Sequence, residues 1–342
     1  MKNYLPSQFR GYRKHLRNRL RATRYWLNLT LDLTTARFRQ ADVAIFHEFS
    51  PPPAGGGHQF LRALWDEFEQ RGLRVENNVI SGTTRACLFN SFNFDFDRLR
   101  RFRKAGCRMV HRVDGPIGIY RGQNDGSDQR IWQINQEVAD ATIFQSSYSL
   151  QKHIDLGLPF KSPQVIMNTV DPNIFHPQGR IKFSQRRKIR LITTSWSDNP
   201  NKGAETYKWL DEHLDWSHFD FTFVGRSPIQ FERIQMIAPM PSSQVAELLR
   251  QHDIFITASQ HEACSNSLIE ALACHSPALY INSGSNLEIV GEAGLGFSNK
   301  EEIPDLLNQL VDEYETRQAQ ITVPKLAEVA NRYLTVMGIM TL

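Results

Sequence analysis

The chain has 342 residues, of which 41% are hydrophobic and 22% charged, and a net charge of +4. That length holds two ordinary domains with sizeable cores, and the composition excludes a disordered chain. The four cysteines, Cys87, Cys107, Cys264 and Cys274, form no C-x-x-C pair, so neither a disulfide framework nor a cysteine metal site is expected and a cytoplasmic location is the simpler reading.

The charge is unevenly spread. Residues 1–40 hold ten Lys or Arg and one acid, Asp32, while the remainder holds 30 basic and 35 acidic residues. Phe9, Tyr12, Leu16, Leu20, Leu27 and Leu31 recur at near-helical spacing, with Arg10, Arg13, Arg17, Arg21 and Arg24 alongside. A basic amphipathic helix suits an anionic membrane surface, with Tyr25 and Trp26 at interface depth. Packing on the protein's own body, nucleic-acid binding and a targeting role are the competing readings, although no nucleic-acid module follows the arm. No apolar run reaches the ~20 residues of a spanning helix.

Asp42–Phe46 reads as a first buried strand, Pro51–Gly57 as a breaker-rich loop, and Phe60, Leu61, Leu64 and Phe68 as a helix face. Strands are expected at Ala86–Phe89, Cys107–Val113, Ala141–Phe144 and Val165–Met167. Helices are expected over Arg98–Ala105, Ile131–Val138 and Ser147–Leu156. After a polar, basic linker at 176–188, strands are expected at Ile189–Thr194, Phe219–Val224, Ile254–Ala258 and Ala278–Ile281, with helices over Glu205–Leu214 and Ser243–His252. Leu326, Val329, Ala330, Tyr333 and Leu334 mark a terminal helix. Alternation of this kind predicts α/β architecture with parallel sheets and ligands beyond the carboxyl ends of the strands. That topology puts His47, Asn90 and Asp114 at a cleft, together with Gly56 and Gly57 of the glycine-rich loop, where backbone amides approach a ligand closely.

The densest motif is Glu262-Ala-Cys-Ser-Asn-Ser-Leu-Ile-Glu270: two carboxylates eight positions apart, after an apolar strand and across a helix start. A helix start offers unpaired N–H groups and the positive end of a dipole, which suits a phosphate. This segment resembles the E-x7-E signature of retaining glycosyltransferases of family four, which have the two-Rossmann-domain GT-B fold. Asn168-Thr-Val-Asp-Pro-Asn-Ile-Phe-His-Pro177 is similar to the family's segment at the end of the first domain, Asn199-Pro-Asn-Lys-Gly203 to its phosphate-binding Lys-Gly, and Gly55–Gly57 to its first-domain glycine loop. The resemblance implies an arm at 1–40, an acceptor-side domain at 41–175, the linker at 176–188, a nucleotide-sugar domain at 189–320, and a helix at 321–342 that crosses back to the first domain.

The resemblance also implies roles. Lys202, next to Gly203, would neutralise the leaving diphosphate, with help from amides around Ser265, Asn266 and Ser267. Glu262 would hold hydroxyls of the transferred sugar and Glu270 the ribose. The reaction would be retaining and metal-free, since no D-x-D motif stands at a strand end, and the leaving phosphate itself would take the acceptor proton. A nucleotide-diphosphate sugar would be the donor, and a glycan, lipid-linked or other molecule the acceptor. Partners would be these substrates and an anionic membrane surface, with no cofactor.

Three departures stand out. Ala263-Cys264-Ser265 replaces Gly-Phe-Gly. Ser195-Trp196-Ser197 stands where the family has a phosphate arginine, which Arg226 would replace. Asp114 stands where the family has a histidine, His111 lying three residues too early. The loop Ile237–Met240 would read the base, with Met240 beside it. Two alternatives stay open: a GT-B epimerase or phosphorylase, and a catalytically degenerate nucleotide-sugar-binding protein.

Overall fold

A computed structural model describes residue 23 and residues 25–50, 56–92, 94–195 and 197–339. Most of the basic arm (residues 1–22 and 24), Pro51–Gly55 and Trp196 lie outside the described residues.

The first sheet contains β1 (Val43–Phe46), β2 (Val75–Asn77), β3 (Ala86–Phe89), β4 (Arg108–Val113), β5 (Ala141–Phe144) and β6 (Pro163–Val165), in the order β2-β1-β3-β4-β5-β6. Its helices are α1 (residues 25–36), α2 (Gly56–Gln70), α3 (Phe96–Phe102), α4 (Ile117–Arg121), α5 (Ser127–Val138) and α6 (Ser147–Asp155). The second sheet contains β7 (Ile189–Ser195), β8 (Phe219–Gly225), β9 (Gln235–Ile237), β10 (Ile254–Thr257), β11 (Ala278–Ile281) and β12 (Gly294–Phe297), in the order β12-β11-β10-β7-β8-β9. Around it lie α7 (Ala204–His213), α8 (Ser242–Gln251), α9 (Asn266–Ala273), α10 (Asn286–Val290), α11 (Ile303–Asp312), α12 (Tyr314–Ala319) and α13 (Leu326–Val336). Every pairing in both sheets is parallel.

Parallel strands need crossovers, so both faces of each sheet are covered and the central strands are apolar throughout. Alternate residues divide between the faces. Val43, Ile45 and Leu88 face α2, through Phe60, Leu64 and Phe68, and α13, through Tyr333 and Leu334. Ala44, Phe46, Cys87 and Phe89 face α3, through Leu99 and Phe102, and α1, through Leu29. In the second sheet Leu191, Phe221 and Ile254 pack towards α7 and α11, while Ile192, Val224 and Phe255 pack towards α8 and α9. The short strands β2 and β9 lie at sheet edges, partly exposed, and so carry too little apolar pattern to stand out in sequence.

The terminal helix α13 sits on the first sheet although it follows the second in the chain. Arg71 Nη2 donates to Ala327 O (2.7 Å) and Arg108 Nε to Val336 O (2.6 Å). The basic stretch 176–188 is pinned to the second sheet. Arg180 donates to the carbonyls of Leu249, His252, Asp253 and Cys274, to Ser276 Oγ and to Tyr314 Oη, at 2.8–3.1 Å. Phe183 stacks on Tyr314, with ring centroids 3.7 Å apart.

The described part of the arm divides its faces. Tyr25 turns inward, donating its hydroxyl to Asp95, and Arg98 pairs with Asp32 at 2.6 Å, so Tyr25 does not stand at a surface depth as the sequence pattern suggested. Trp26, Leu27 and Leu31 are exposed. The D-x-D tripeptide Asp95–Asp97 is structural: Asp95 caps α3 by accepting from Arg98 N, and Asp97 pairs with Arg100. No helix among the described residues is long and apolar enough to cross a membrane.

Candidate active site

The two sheets meet with the carboxyl ends of their strands turned towards one cleft. His47 follows β1, Asn90 follows β3, Asp114 follows β4 and Gln145 follows β5. Lys202 follows β7 and Glu262 follows β10. Polar bonds cross between the halves. Asn199 and Asn201 donate their side-chain amides to the Tyr120 carbonyl (2.9 and 2.7 Å), and Asn168 Nδ2 donates to Asn266 Oδ1 (3.0 Å). Glu288 of α10 accepts from the amides of Ser147 and Tyr148 at the start of α6 (2.8 and 2.7 Å), where the helix dipole favours a carboxylate.

Lys202 ends a short 3-10 turn, Pro200–Lys202, capped by Asn199 accepting from Asn201 N (3.0 Å). The next residue must be glycine. Gly203 has φ 76°, and a Cβ there would lie 2.4 Å from that of Ala258. Close approach to the end of β10 carries Lys202 over the Glu262 loop. Lys202 Nζ lies 2.5 Å from Glu262 Oε1, which also accepts from Ser259 Oγ at 2.6 Å. Burial lowers the lysine's proton affinity, but Glu262 and Tyr120 outweigh it, so its pKa is raised and the ammonium stays charged. The Tyr120 ring lies 5.6 Å away.

Glu270 stands one turn into α9. Its carboxyl makes no hydrogen bond with a described residue, and burial pushes its pKa to about 8. Lys202, Glu262, Ser265, Asn266, Ser267 and Glu270 border one cavity of about 190 Å³, joined by Gln59 and Tyr120 from the first half. The Thr194 and Ser195 hydroxyls, at the end of β7, enter the same wall. Both are buried without a hydrogen-bond partner. A buried hydroxyl without a partner costs about 1–3 kcal/mol, which a ligand's oxygen would remove.

A second cavity, of about 360 Å³, shares Glu262 and Asn266 with the first. His47, Gly57, Asn90 and Asp114 line it as expected, and Arg112, Gln145 and His58 join them. Arg112 is fully buried. It donates to Asn90 (2.7 Å), Asp114 (3.2 Å) and Asn168 (3.0 Å), and Gln145 also donates to Asp114. His47 and His58 share a 2.9 Å bond between Nε2 and Nδ1, and burial, with His58 and Arg112 nearby, pushes His47 down to about 4. A third cavity, of about 450 Å³, runs from Asn266 and Glu270 between α2 and Thr169–Phe175.

Some expected residues stand elsewhere. Arg226 borders none of these cavities. Its backbone N–H donates to Ser195 O (2.8 Å), and its side chain is exposed. Met240 packs against the apolar cluster of α8 and α9 rather than the cavity. Gly56 opens α2, and Gly57 lines the cleft. Gly203 shapes the turn rather than facing the ligand space. His111 is buried, stacked on Phe89 at 4.3 Å, and pushed by burial to about 3. Arg112, His58 and Tyr120 were missed. Only Arg112 left a signal, since a charge inside an apolar strand demands buried partners. Among the described residues no group of three or more His, Cys, Asp or Glu is placed to hold a metal.

Residues 231–328 match the family model for glycosyl transferases group 1. Over that stretch the chain is similar to the group 1 glycosyl transferases. Among curated proteins, the phosphatidylinositol N-acetylglucosaminyltransferase GPI3 subunits of two Saccharomyces cerevisiae strains, RM11-1a and S288c, are 27% identical over 160 residues, which is 42% of this chain and 35% of each relative. The chain thus spans about a third of the length of those relatives. Sucrose-phosphate synthase from Thermosynechococcus elongatus superposes with a TM-score of 0.63 at 13% identity, over 88% of this chain and 95% of that one. The catalytic domain of starch synthase IV from Arabidopsis thaliana, bound to ADP and acarbose, gives 0.63 at 10%, over 88% and 99%. Anabaena HepE in complex with UDP and glucose gives 0.62 at 13%, over 87% and 98%. The architecture is therefore GT-B: two Rossmann-like α/β units facing a cleft.

Proposed function

We propose that this protein is a retaining, metal-independent glycosyltransferase that moves a sugar from a nucleotide-diphosphate sugar to a glycan or lipid-linked acceptor. The observation that carries this reading is the convergence of Lys202, Glu262, Glu270 and the start of α9 around one cavity. The diphosphate lies against the α9 amides, with Lys202 as the cation that takes up the developing charge. Thr194 and Ser195 offer their unpartnered hydroxyls where the family's arginine is missing. Without donor, Lys202 is held by Glu262. A bound diphosphate competes for the ammonium and frees the carboxylate for the sugar's hydroxyls. Glu270 takes the ribose.

The transferred sugar occupies the second cavity, between Glu262 and Asp114, whose carboxylate is oriented by Arg112 and Gln145. The leaving phosphate oxygen accepts the acceptor's proton as the new glycosidic bond forms on the same face, so no protein nucleophile is required. The protein works in the cytoplasm, at a membrane face that meets the basic arm and the exposed Trp26, Leu27 and Leu31.

The experiment is a thermal-shift panel of UDP, GDP, ADP and their sugars, followed by donor turnover in EDTA. A ligand bound to the folded state raises the melting point. One nucleotide should stabilise the wild type, and Lys202→Ala should abolish turnover while the protein stays folded. Full activity of that variant, or loss of activity in EDTA, would overturn the reading.

A further inference from the structure

Beside the transfer cavity a separate hollow of about 260 Å³ opens on the first half of the molecule. Phe92, Phe94 and Phe96, from the segment joining β3 to α3, line it. All three are half-buried, so their rings are neither sealed in the core nor fully in water. Ile131 of α5 is buried beneath them. Two exposed guanidinium groups border the hollow, Arg121 at the end of α4 and Arg130 in the first turn of α5. Phe92 and Arg121 also line the cavity that contains Asp114 and Glu262, so the two spaces adjoin across a shared wall.

Neither cation has a carboxylate within ion-pair distance, although Asp125, whose pKa is lowered mainly by its hydrogen bonds from Ser127, also feels the charge of Arg130 and Arg121. Arg130 donates to Ser127 Oγ at 3.1 Å, and neither arginine makes an ion pair with a described residue. The acids nearby are committed to backbone amides. Asp125 accepts from Ser127 N (2.9 Å), and Asp128 accepts from the amides of Ile117 and Gly118 at the start of α4 (2.7 and 2.9 Å). A wall of aromatic rings gives apolar contact area to the C–H face of a pyranose, and a pair of exposed guanidinium groups held in no ion pair selects a planar or tetrahedral anion by charge-assisted hydrogen bonds. A lipid chain would use the rings and leave both charges unmatched. A neutral sugar would do the same.

We infer that this hollow is an acceptor subsite for a negatively charged sugar unit, one that bears a carboxylate or a phosphate and adjoins the unit receiving the new bond. The inference rests on the glycosyltransferase reading for its link to the transfer cavity, but its binding test stands alone.

Three probes separate the sources of charge: a disaccharide ending in glucuronic acid, its counterpart carrying a 6-phosphate, and the neutral glucose counterpart. Affinities are measured on the full chain by calorimetry, with the melting shift by nucleotide recorded in parallel. At least one charged probe should bind about tenfold more tightly than the neutral one, the scale of a single charge-assisted hydrogen bond. Arg121→Gln combined with Arg130→Gln should erase that preference while the melting shift by nucleotide stays at its wild-type size. Arg130→Lys should restore part of it. Equal binding of charged and neutral probes, no binding of either charged probe, or a preference that survives the double substitution would overturn the inference. Tighter binding of a polyprenyl phosphate than of both charged disaccharides would overturn it too. A wild type that gains no stability from any nucleotide but keeps the preference defeats the donor reading and leaves the subsite standing.

Discussion

Glu270→Gln tests the donor end of the cleft through its protons. The carboxyl has no hydrogen-bonding partner among the described residues, and burial raises its pKa from 4.5 to about 8. The unfolded chain therefore releases this proton near pH 4.5, while the folded chain holds it to about pH 8. Between those values the folded state binds more protons, so stability falls as pH rises. At about 1.36 kcal/mol per pH unit the gap sets a ceiling of about 5 kcal/mol, and water entering the cavity brings the observed figure below it. Gln is nearly isosteric and never ionises. The variant and the wild type should be nearly equal in urea unfolding at pH 4.5, and the variant should be the more stable by up to that ceiling at pH 8.5. Nucleotide binding sharpens the test. A ribose hydroxyl donated to Glu270 favours the carboxylate, so wild-type binding at pH 7 should release a proton, seen as a dependence of calorimetric heat on buffer ionisation. A stability difference that is constant across the pH range, with no proton released, would refute the placement of Glu270 as an unpaired, half-buried acid in the cavity wall.

Two other substitutions probe the scaffold beneath the site. Gly203→Ala forces a Cβ to within 2.5 Å of the Ala258 carbonyl oxygen in a left-handed backbone conformation, so the Lys202 turn must move. A cost of about 1–3 kcal/mol and a loss of donor turnover well beyond that fall in stability are expected from thermal melts and initial rates, and unchanged turnover would contradict it. Arg180→Ala removes the donor shared by four carbonyls and two hydroxyls beneath α8, α9 and α12. Among the described residues the His252 and Cys274 carbonyls have no other donor, while Leu249 O, Asp253 O and the two hydroxyls keep partners. Urea unfolding should show a loss of about 3 kcal/mol or more, with the Lys variant recovering only a fraction because a single ammonium cannot reach both groups of acceptors. A loss under about 1 kcal/mol would show that the linker is not held by this side chain.

The parts legible in the sequence are those with local causes. Buried parallel strands read as apolar runs, and glycine, proline and capping residues break them where the chain turns. The spacing of Glu262 and Glu270 across a helix start likewise needs nothing beyond its own segment. Long-range partners were hidden. The Arg112 side chain is ordinary in sequence, and its role depends on Asn90, Asp114 and Asn168 being brought to it by three different strand ends. Arg226 was expected to replace a missing charge, and the structure gives its side chain as exposed and its backbone N–H as bonded to Ser195 O. Tyr25 was expected at interface depth beside Trp26, and the contact of its hydroxyl with Asp95, 70 positions away, is a tertiary one that no local pattern shows.

The sequence by itself determined two parallel α/β layers and a phosphate-type motif, because hydrophobic period and turn chemistry act over a few residues. Only the tertiary structure decided which charges meet: Lys202 and Glu262 are 60 positions apart and become a 2.5 Å pair. Electrostatic energy depends on distance and on the water excluded between groups, and neither quantity exists until the two halves close on one another.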